Sequence, residues 1–177
     1  MKLIILDRDG TINIDSDQYI KSPAEWKPIQ GSLEAIARLT QADWRVVVAT
    51  NQSGLARGLF GISTLHAIHE SMHRAVAQAG GRIDAIFFCP HAEADECGCR
   101  KPKPGMLHEI AERMNVDLSE VPVVGDSLRD LQAAAACGAR PILVLTGKGK
   151  MTHNAGGLPA GTRVFADLAG VAEHLAP

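Results

Sequence analysis

The chain has 177 residues, 46% hydrophobic and 21% charged, with a formal net charge of −2 at pH 7, an ordinary globular composition and a length suited to one domain over residues 1–177. No basic block interleaved with aromatics is present, which argues against nucleic-acid and membrane-surface partners. No stretch approaches the roughly 20 apolar residues of a membrane helix, and the opening apolar run ends at Asp7, too short for a signal-peptide core, so a cytoplasmic location is expected.

Leu3 to Leu6 predict a short strand buried on both faces, running into Asp7-Arg8-Asp9-Gly10-Thr11. Residues i and i+2 of a strand share a face, so Asp7 and Asp9 can point into one crevice. Two carboxylates so close repel unless a cation or proton lies between them. Mg²⁺, a hard cation that prefers oxygen, is the expected resolution. Ile12 to Pro28 form a long polar loop with Asp15, Ser16, Asp17, Gln18, Tyr19 and Lys21, a candidate lid. Gly31-Ser32 are expected to cap a helix whose apolar stripe is Leu33, Ile36, Ala37 and Leu39.

A second strand, Trp44 to Ala49, ends in Thr50-Asn51-Gln52-Ser53-Gly54, and Ser63 is expected to cap a helix to about Ala79. His66, His69 and His73 share one side of that helix; with no carboxylate or thiolate beside them, a solvated face is expected. Ile83 to Phe88 predict a third strand entering Cys89-Pro90-His91. The loop continues through Cys97-Gly98-Cys99-Arg100-Lys101 to a helix over Met106 to Met114. Val121 to Val124 predict a fourth strand, ending at Gly125-Asp126-Ser127, and a helix through Leu131 to Cys137 follows. Cys137 is expected to be a small core residue. Arg140 to Leu145 predict a fifth strand, with Gly147-Lys148-Gly149-Lys150 as a loop. A short strand, Arg163 to Phe165, and a helix, Leu168 to Leu175, close the chain.

This alternation predicts an α/β fold: a doubly wound parallel sheet with helices on both faces. Parallel strands bring Asp7, Asp9, Thr50, Asn51 and Asp126 to one sheet edge, where Arg100 and Lys101 can add positive charge. Carboxylates, Mg²⁺, a hydroxyl and fixed cations suit phosphoryl transfer. Cys89, His91, Cys97 and Cys99 offer three thiolates and an imidazole, a tetrahedral structural Zn²⁺ set that would hold the loop 89–99 and aim Arg100 and Lys101.

In order and spacing, Asp7-x-Asp9-Gly10-Thr11, Thr50, Lys101 and Gly125-Asp126 resemble the four motifs of the haloacid dehalogenase-like phosphatases, from residue 3 to about residue 145. The resemblance implies a Rossmann-like core with Asp7 as nucleophile and Asp9 as general acid and base. Mg²⁺ would be held by Asp7, the Asp9 carbonyl and Asp126, and phosphoryl oxygens by Thr50 and Lys101. Asp130 would support the metal from one helical turn away, or be a solvated acid favoured by the helix dipole.

With the zinc loop and no cap insertion, the chain is most similar to the D-glycero-D-manno-heptose 1,7-bisphosphate 7-phosphatases. They act in ADP- or GDP-heptose precursor synthesis for lipopolysaccharide or another surface polysaccharide. That resemblance implies substrate contacts from Asp15, Ser16, Asp17, Gln18, Tyr19, Asn51, Gln52, Ser53, Arg100 and Ser127. Relatives often carry Lys where this chain has Ser127. A histidinol-phosphate phosphatase is the alternative reading, and a non-catalytic phosphate-binding zinc scaffold the third. A monomer acting on a small sugar phosphate is expected.

Overall fold

The computed structural model describes residues 1–177. Strands β1 (Lys2–Leu6), β2 (Trp44–Asn51), β3 (Ala85–Cys89), β4 (Pro122–Gly125), β5 (Arg140–Val144) and β6 (Arg163–Phe165) form one sheet in the order β3-β2-β1-β4-β5-β6. Every neighbouring pair is parallel. The helices are α1 (Ser32–Gln41), α2 (Ile62–Gln78), α3 (Gly105–Met114), α4 (Leu128–Ala136), α5 (Gly149–Ala155) and α6 (Leu168–Leu175).

Strand alternation makes two apolar layers. Ile4, Leu6, Val46 and Val48 meet Ile36 and Leu39 of α1, Ile68 and Met72 of α2, and Val171 of α6. Leu3, Ile5, Val47 and Ala49 meet Leu107 and Ile110 of α3 and Ala133 and Ala134 of α4. A fully buried aliphatic side chain contributes about 1.5–3 kcal/mol, so these layers fix the register and with it the strand ends. The chain winds outward through β2 and β3, then crosses back to β4 on the other side of β1. That reversal leaves a crevice beyond the ends of β1 and β4, where open α/β sheets bind ligands. No helix is long and apolar enough to cross a membrane.

Three expectations change. The 12–28 segment is not polar throughout: Ile12, Ile20 and Trp26 are buried in the first core layer. Only its tip is free of the core, since three apolar anchors bind the rest. After β5, the chain expected as a loop turns into α5 at Gly149. A side chain there would meet the Val144 carbonyl at 1.8 Å, so glycine is what lets the helix start against the strand end. His69 does not belong to a solvated face; it is 6% exposed, turned inward beside Arg8.

One cap shifts, and of the expected Gly31-Ser32 pair it is Gly31 that takes the N-cap position of α1. Ser63 lies inside α2, with Gly61 at the cap position. Ser32 lies inside α1 and donates its hydroxyl to the Thr11 carbonyl at 2.9 Å, tying α1 to the turn after β1.

Candidate active site

The C-terminal ends of β1 and β4 present Asp7 and Asp126, and the first turn of α4 adds Asp130. One carboxylate oxygen from each lies within 4.8 Å of the others. Asp130 is 2% exposed, so it is neither a solvated acid nor an ordinary first-turn charge. Its Oδ2 accepts from the Ser127 amide at 3.1 Å and the Ser127 hydroxyl at 2.7 Å, closing a capping box on α4. Its Oδ1 lies 2.7 Å from Lys101 Nζ. That ammonium also lies 3.0 Å from Asp7 Oδ1 and donates to the Ala49 carbonyl at 2.7 Å.

Burial alone would discharge Lys101, but Asp130 and Asp7 outweigh it and hold the amine protonated well above its usual range. The acids feel the opposite strain. Burial first, then the charge of Asp130, push Asp7 well up and Asp126 to about 7. One ammonium is too little positive charge for two buried carboxylates and a third at the cavity floor, so the donor set fits a hard divalent cation. The backbone is shaped to the same end. Gly10, at φ +81°, sits so close to Asp126 that a Cβ would fall 2.0 Å from Oδ2, and one on Gly147 would fall 2.2 Å from the same oxygen.

Asp9 stands outside this trio. Its Oδ1 accepts from Arg8 Nε and Asn13 Nδ2, both at 2.9 Å, and its Oδ2 accepts from Gln52 Nε2 at 3.1 Å. Burial raises its pKa, yet Arg8, Asn13 and Gln52 together hold it below the usual carboxylate value. Arg8 is fully buried, and its Nη1 lies 3.1 Å from His69 Nε2. Burial and the Arg8 charge push His69 down to about 3. The imidazole is therefore neutral and offers Nε2 as acceptor to a cation that never loses its proton.

A cavity of about 240 Å³ opens over these groups. Asp15, Ser16, Asp17, Tyr19, Asn51, Gln52, Ser53, Arg100 and Ser127 line it as expected, together with Asp7, Asp9, Lys101 and Asp126. Gln18 does not: it is exposed, and its carbonyl accepts from Lys21 Nζ at 2.9 Å. Thr50 is 1% exposed and lies below the lining, its hydroxyl accepting from Gln52 Nε2 at 2.9 Å. Asn51 pairs both ways with the Lys101 backbone, at 3.0 and 3.1 Å, which ties β2 to the basic loop. The sequence reading missed Arg57, Arg129 and Lys148, which also line the cavity. Arg57 lies over the Tyr19 ring, 6.0 Å from its centroid.

Cys89, His91, Cys97 and Cys99 converge beside this cavity. The Cys89–Cys97 and Cys97–Cys99 sulfurs lie 3.6 and 3.7 Å apart, and Cys89–Cys99 3.0 Å. His91 Nδ1 lies 3.6 and 3.4 Å from the Cys89 and Cys99 sulfurs. Tetrahedral Zn–S bonds of about 2.3 Å would set sulfurs about 3.8 Å apart, so the cluster fits the ion with little movement. Burial pushes the Cys97 thiol up, but the Arg100 amide and the neighbouring thiols bring it down to about 6. Burial pushes the Cys89 thiol up to about 12 and the Cys99 thiol up as well, so these two would need the ion itself to become the thiolates that zinc requires.

Sheet order, switch-point carboxylates and the lysine between them define a haloacid dehalogenase-like hydrolase. A HAD-hydrolase-like family model matches residues 98–171. The chain is 67% identical over 175 residues to the D-glycero-beta-D-manno-heptose-1,7-bisphosphate 7-phosphatase of Bordetella bronchiseptica, covering 99% of this chain and 98% of that protein. It is 56% identical over 173 residues to the enzyme of the same name from Pseudomonas aeruginosa, covering 98% and 97%. The crystal structure of the D,D-heptose 1,7-bisphosphate phosphatase of B. bronchiseptica, complexed with magnesium and phosphate, superposes with a TM-score of 0.98 at 67% identity over 99% of this chain and 98% of that one. That of Burkholderia thailandensis gives 0.80 at 55% identity, over 99% and 98%. The chain belongs to this family of heptose bisphosphate phosphatases.

Proposed function

We propose that this protein removes the 7-phosphate of D-glycero-β-D-manno-heptose 1,7-bisphosphate, as a cytoplasmic, monomeric, single-domain enzyme of surface-polysaccharide precursor synthesis. The observation that carries the reading is the convergence of Asp7, Asp126, Asp130 and Lys101 at the switch point, in a chain 67% identical to a relative named for that activity. Histidinol phosphate is not favoured, because the relatives reported above carry the heptose name.

Mg²⁺ would be held by Asp7, Asp126 and the Asp9 carbonyl, and supplies charge that screens the carboxylate nucleophile from the phosphate dianion. An oxygen of Asp7 attacks phosphorus, and the bond from phosphorus to the C7 oxygen breaks as the aspartyl-phosphate forms. Asp9 gives its proton to the departing alkoxide, then takes one from the water that hydrolyses the acyl phosphate. Without substrate, Arg8 and Gln52 hold Asp9 ionised; a phosphate dianion beside it opposes the Arg8 field and favours loading the proton.

Lys101 and the Thr50 hydroxyl hold phosphoryl oxygens, and Asp130 aims Lys101. Cys89, His91, Cys97 and Cys99 would hold a structural Zn²⁺, four protein ligands leaving it no part in the chemistry. Arg100, Ser127 and the cavity residues from Asp15 to Tyr19 and Asn51 to Ser53 contact the sugar.

The test is phosphate release with Mg²⁺ from both heptose 1,7-bisphosphate anomers and from histidinol phosphate. A kcat/KM at least ~10²-fold higher for the β anomer, about 2.7 kcal/mol of discrimination, supports the assignment. A preference for histidinol phosphate would overturn the substrate and keep the chemistry.

A further inference from the structure

The chain from the end of β5 into α5 grips the crevice at several points. The Thr146 hydroxyl donates to the Gly10 carbonyl at 2.7 Å, and the Thr152 hydroxyl donates to the Asp126 carbonyl at 2.8 Å. Between them, the Lys148 amide donates to Asp126 Oδ2 at 2.8 Å. The backbone of Lys148 is thereby fixed to a carboxylate of the reaction centre. Its side chain runs the other way, over the cavity, to Asp15 Oδ2 at 3.6 Å and Asp17 Oδ1 at 3.7 Å.

The tip it reaches has little else to hold it. The Asp15 carboxylate accepts from the Ser16 amide, the Ser16 hydroxyl accepts from the Gln18 amide, and Lys21 donates to the Gln18 and Tyr19 carbonyls. All of these bonds stay within the loop. Contacts from outside are Arg57 over Tyr19 and the two Lys148 ion pairs. One exposed pair is worth little, but an ammonium on an anchored backbone and facing two carboxylates ties the tip to the crevice at two points.

We propose that Lys148 is a positioning residue for substrate selection: it joins the Asp15–Tyr19 tip to the reaction centre, so the tip meets the hydroxyl-bearing part of a sugar phosphate. The inference rests on the proposed function for its substrate, but the tether exists without substrate and is tested separately.

The experiment uses the full-length protein as wild type, Lys148→Met and Lys148→Arg. Without substrate, amide hydrogen exchange over residues 14–20 is expected to run several-fold faster in Lys148→Met and to return toward wild type in Lys148→Arg. For heptose bisphosphate, Lys148→Met is expected to raise KM about tenfold with kcat changed less than about threefold, the pattern of lost uniform binding. The loss in kcat/KM on p-nitrophenyl phosphate, which has no sugar hydroxyls, is expected to be at least about fivefold smaller. The Mg²⁺ concentration for half-activation stays put, because every variant keeps the amide that holds Asp126.

Unchanged hydrogen exchange overturns the proposal. So does an equal loss on both substrates with a shifted Mg²⁺ requirement, which would assign Lys148 to Asp126 instead. Failure of wild type to turn over heptose bisphosphate would overturn the substrate assignment alone, and hydrogen exchange would then decide on the tether.

Discussion

Two donor clusters lie side by side and are built in opposite ways. Cys89, His91, Cys97 and Cys99 come from eleven consecutive residues: Cys89 ends β3, and the other three follow in a loop whose one regular piece is a short 3₁₀ turn, Glu93–Asp95. Asp7, Asp126 and Asp130 come from opposite halves of the chain and are held by β1, β4 and the cap of α4. In the first cluster only Cys89, buried at the end of β3, is held by the sheet, so the ion would be the scaffold of the other three. The second has a rigid one in the sheet, where Leu3 to Leu6 and Val123 to Val124 are buried. Removing the metal should therefore cost structure at one cluster and chemistry at the other.

The largest effect expected from that contrast is at Asp7. Asp7→Asn keeps the shape and removes the proposed nucleophile, so turnover should fall more than ~10³-fold, above about 4 kcal/mol of transition-state stabilisation. Thermal melting should stay level or rise, because burial and Asp130 already oppose the ionised form. A variant that loses its melting transition instead would make Asp7 a structural residue and remove the contrast.

Zinc is next. Cys97→Ser, or a zinc-selective chelator, should lower Tm by about 5–10 °C, corresponding to a few kcal/mol for a chain of this size. Activity should fall with it, since Arg100 and Lys101 follow directly on the last ligand. Withholding Mg²⁺ should abolish turnover reversibly with a much smaller Tm change. Equal melting shifts from the two metals would break the distinction between scaffold and chemistry.

Asp130 sharpens it further, since one of its oxygens caps a helix and the other holds Lys101. Asp130→Asn can still accept from Ser127 but weakens the hold on the ammonium. A loss of about 10–10²-fold in kcat, with helix α4 intact by circular dichroism, is the expected result. Unchanged kcat would leave Asp130 as a cap alone.

How legible each cluster was in the sequence follows from the same difference. The thiol–imidazole set is local, and ligand type and spacing were enough to propose it. The strands were readable because Ile4-Ile5 and Val46-Val47-Val48 are buried on both faces, and their ends carried Asp7, Asn51 and Asp126. Asp130 was ambiguous, since only tertiary packing brings Lys101 to it from another loop. Arg57, Arg129 and Lys148 carry no local mark; they look like surface cations until the loops fold over the crevice. His69 was misread for a related reason. A helical stripe of histidines has one pattern whether it faces water or a buried guanidinium, and Arg8 lies 61 residues away.

That last pair sets the smallest effect and the most specific test. Free histidine takes up its proton near pH 6.5, but burial, and then the Arg8 charge, delay this to about 3 in the folded protein. Between those values the unfolded chain binds more protons at this position, so stability falls as the pH drops, by up to about 1.4 kcal/mol per unit. His69→Gln keeps an acceptor for Arg8 Nη1 and removes the titration. It should cost about 1 kcal/mol at pH 7, the worth of one imperfectly replaced hydrogen bond, and should flatten the decline in unfolding free energy below pH 6.5. His69→Leu removes the acceptor as well, strands a buried donor, and should cost a further 1–3 kcal/mol or about that. The decisive quantity is the slope of denaturant stability against pH. A slope identical in wild type and His69→Gln would mean that His69 is not held neutral against Arg8, and that Arg8 holds Asp9 without help from the imidazole behind it.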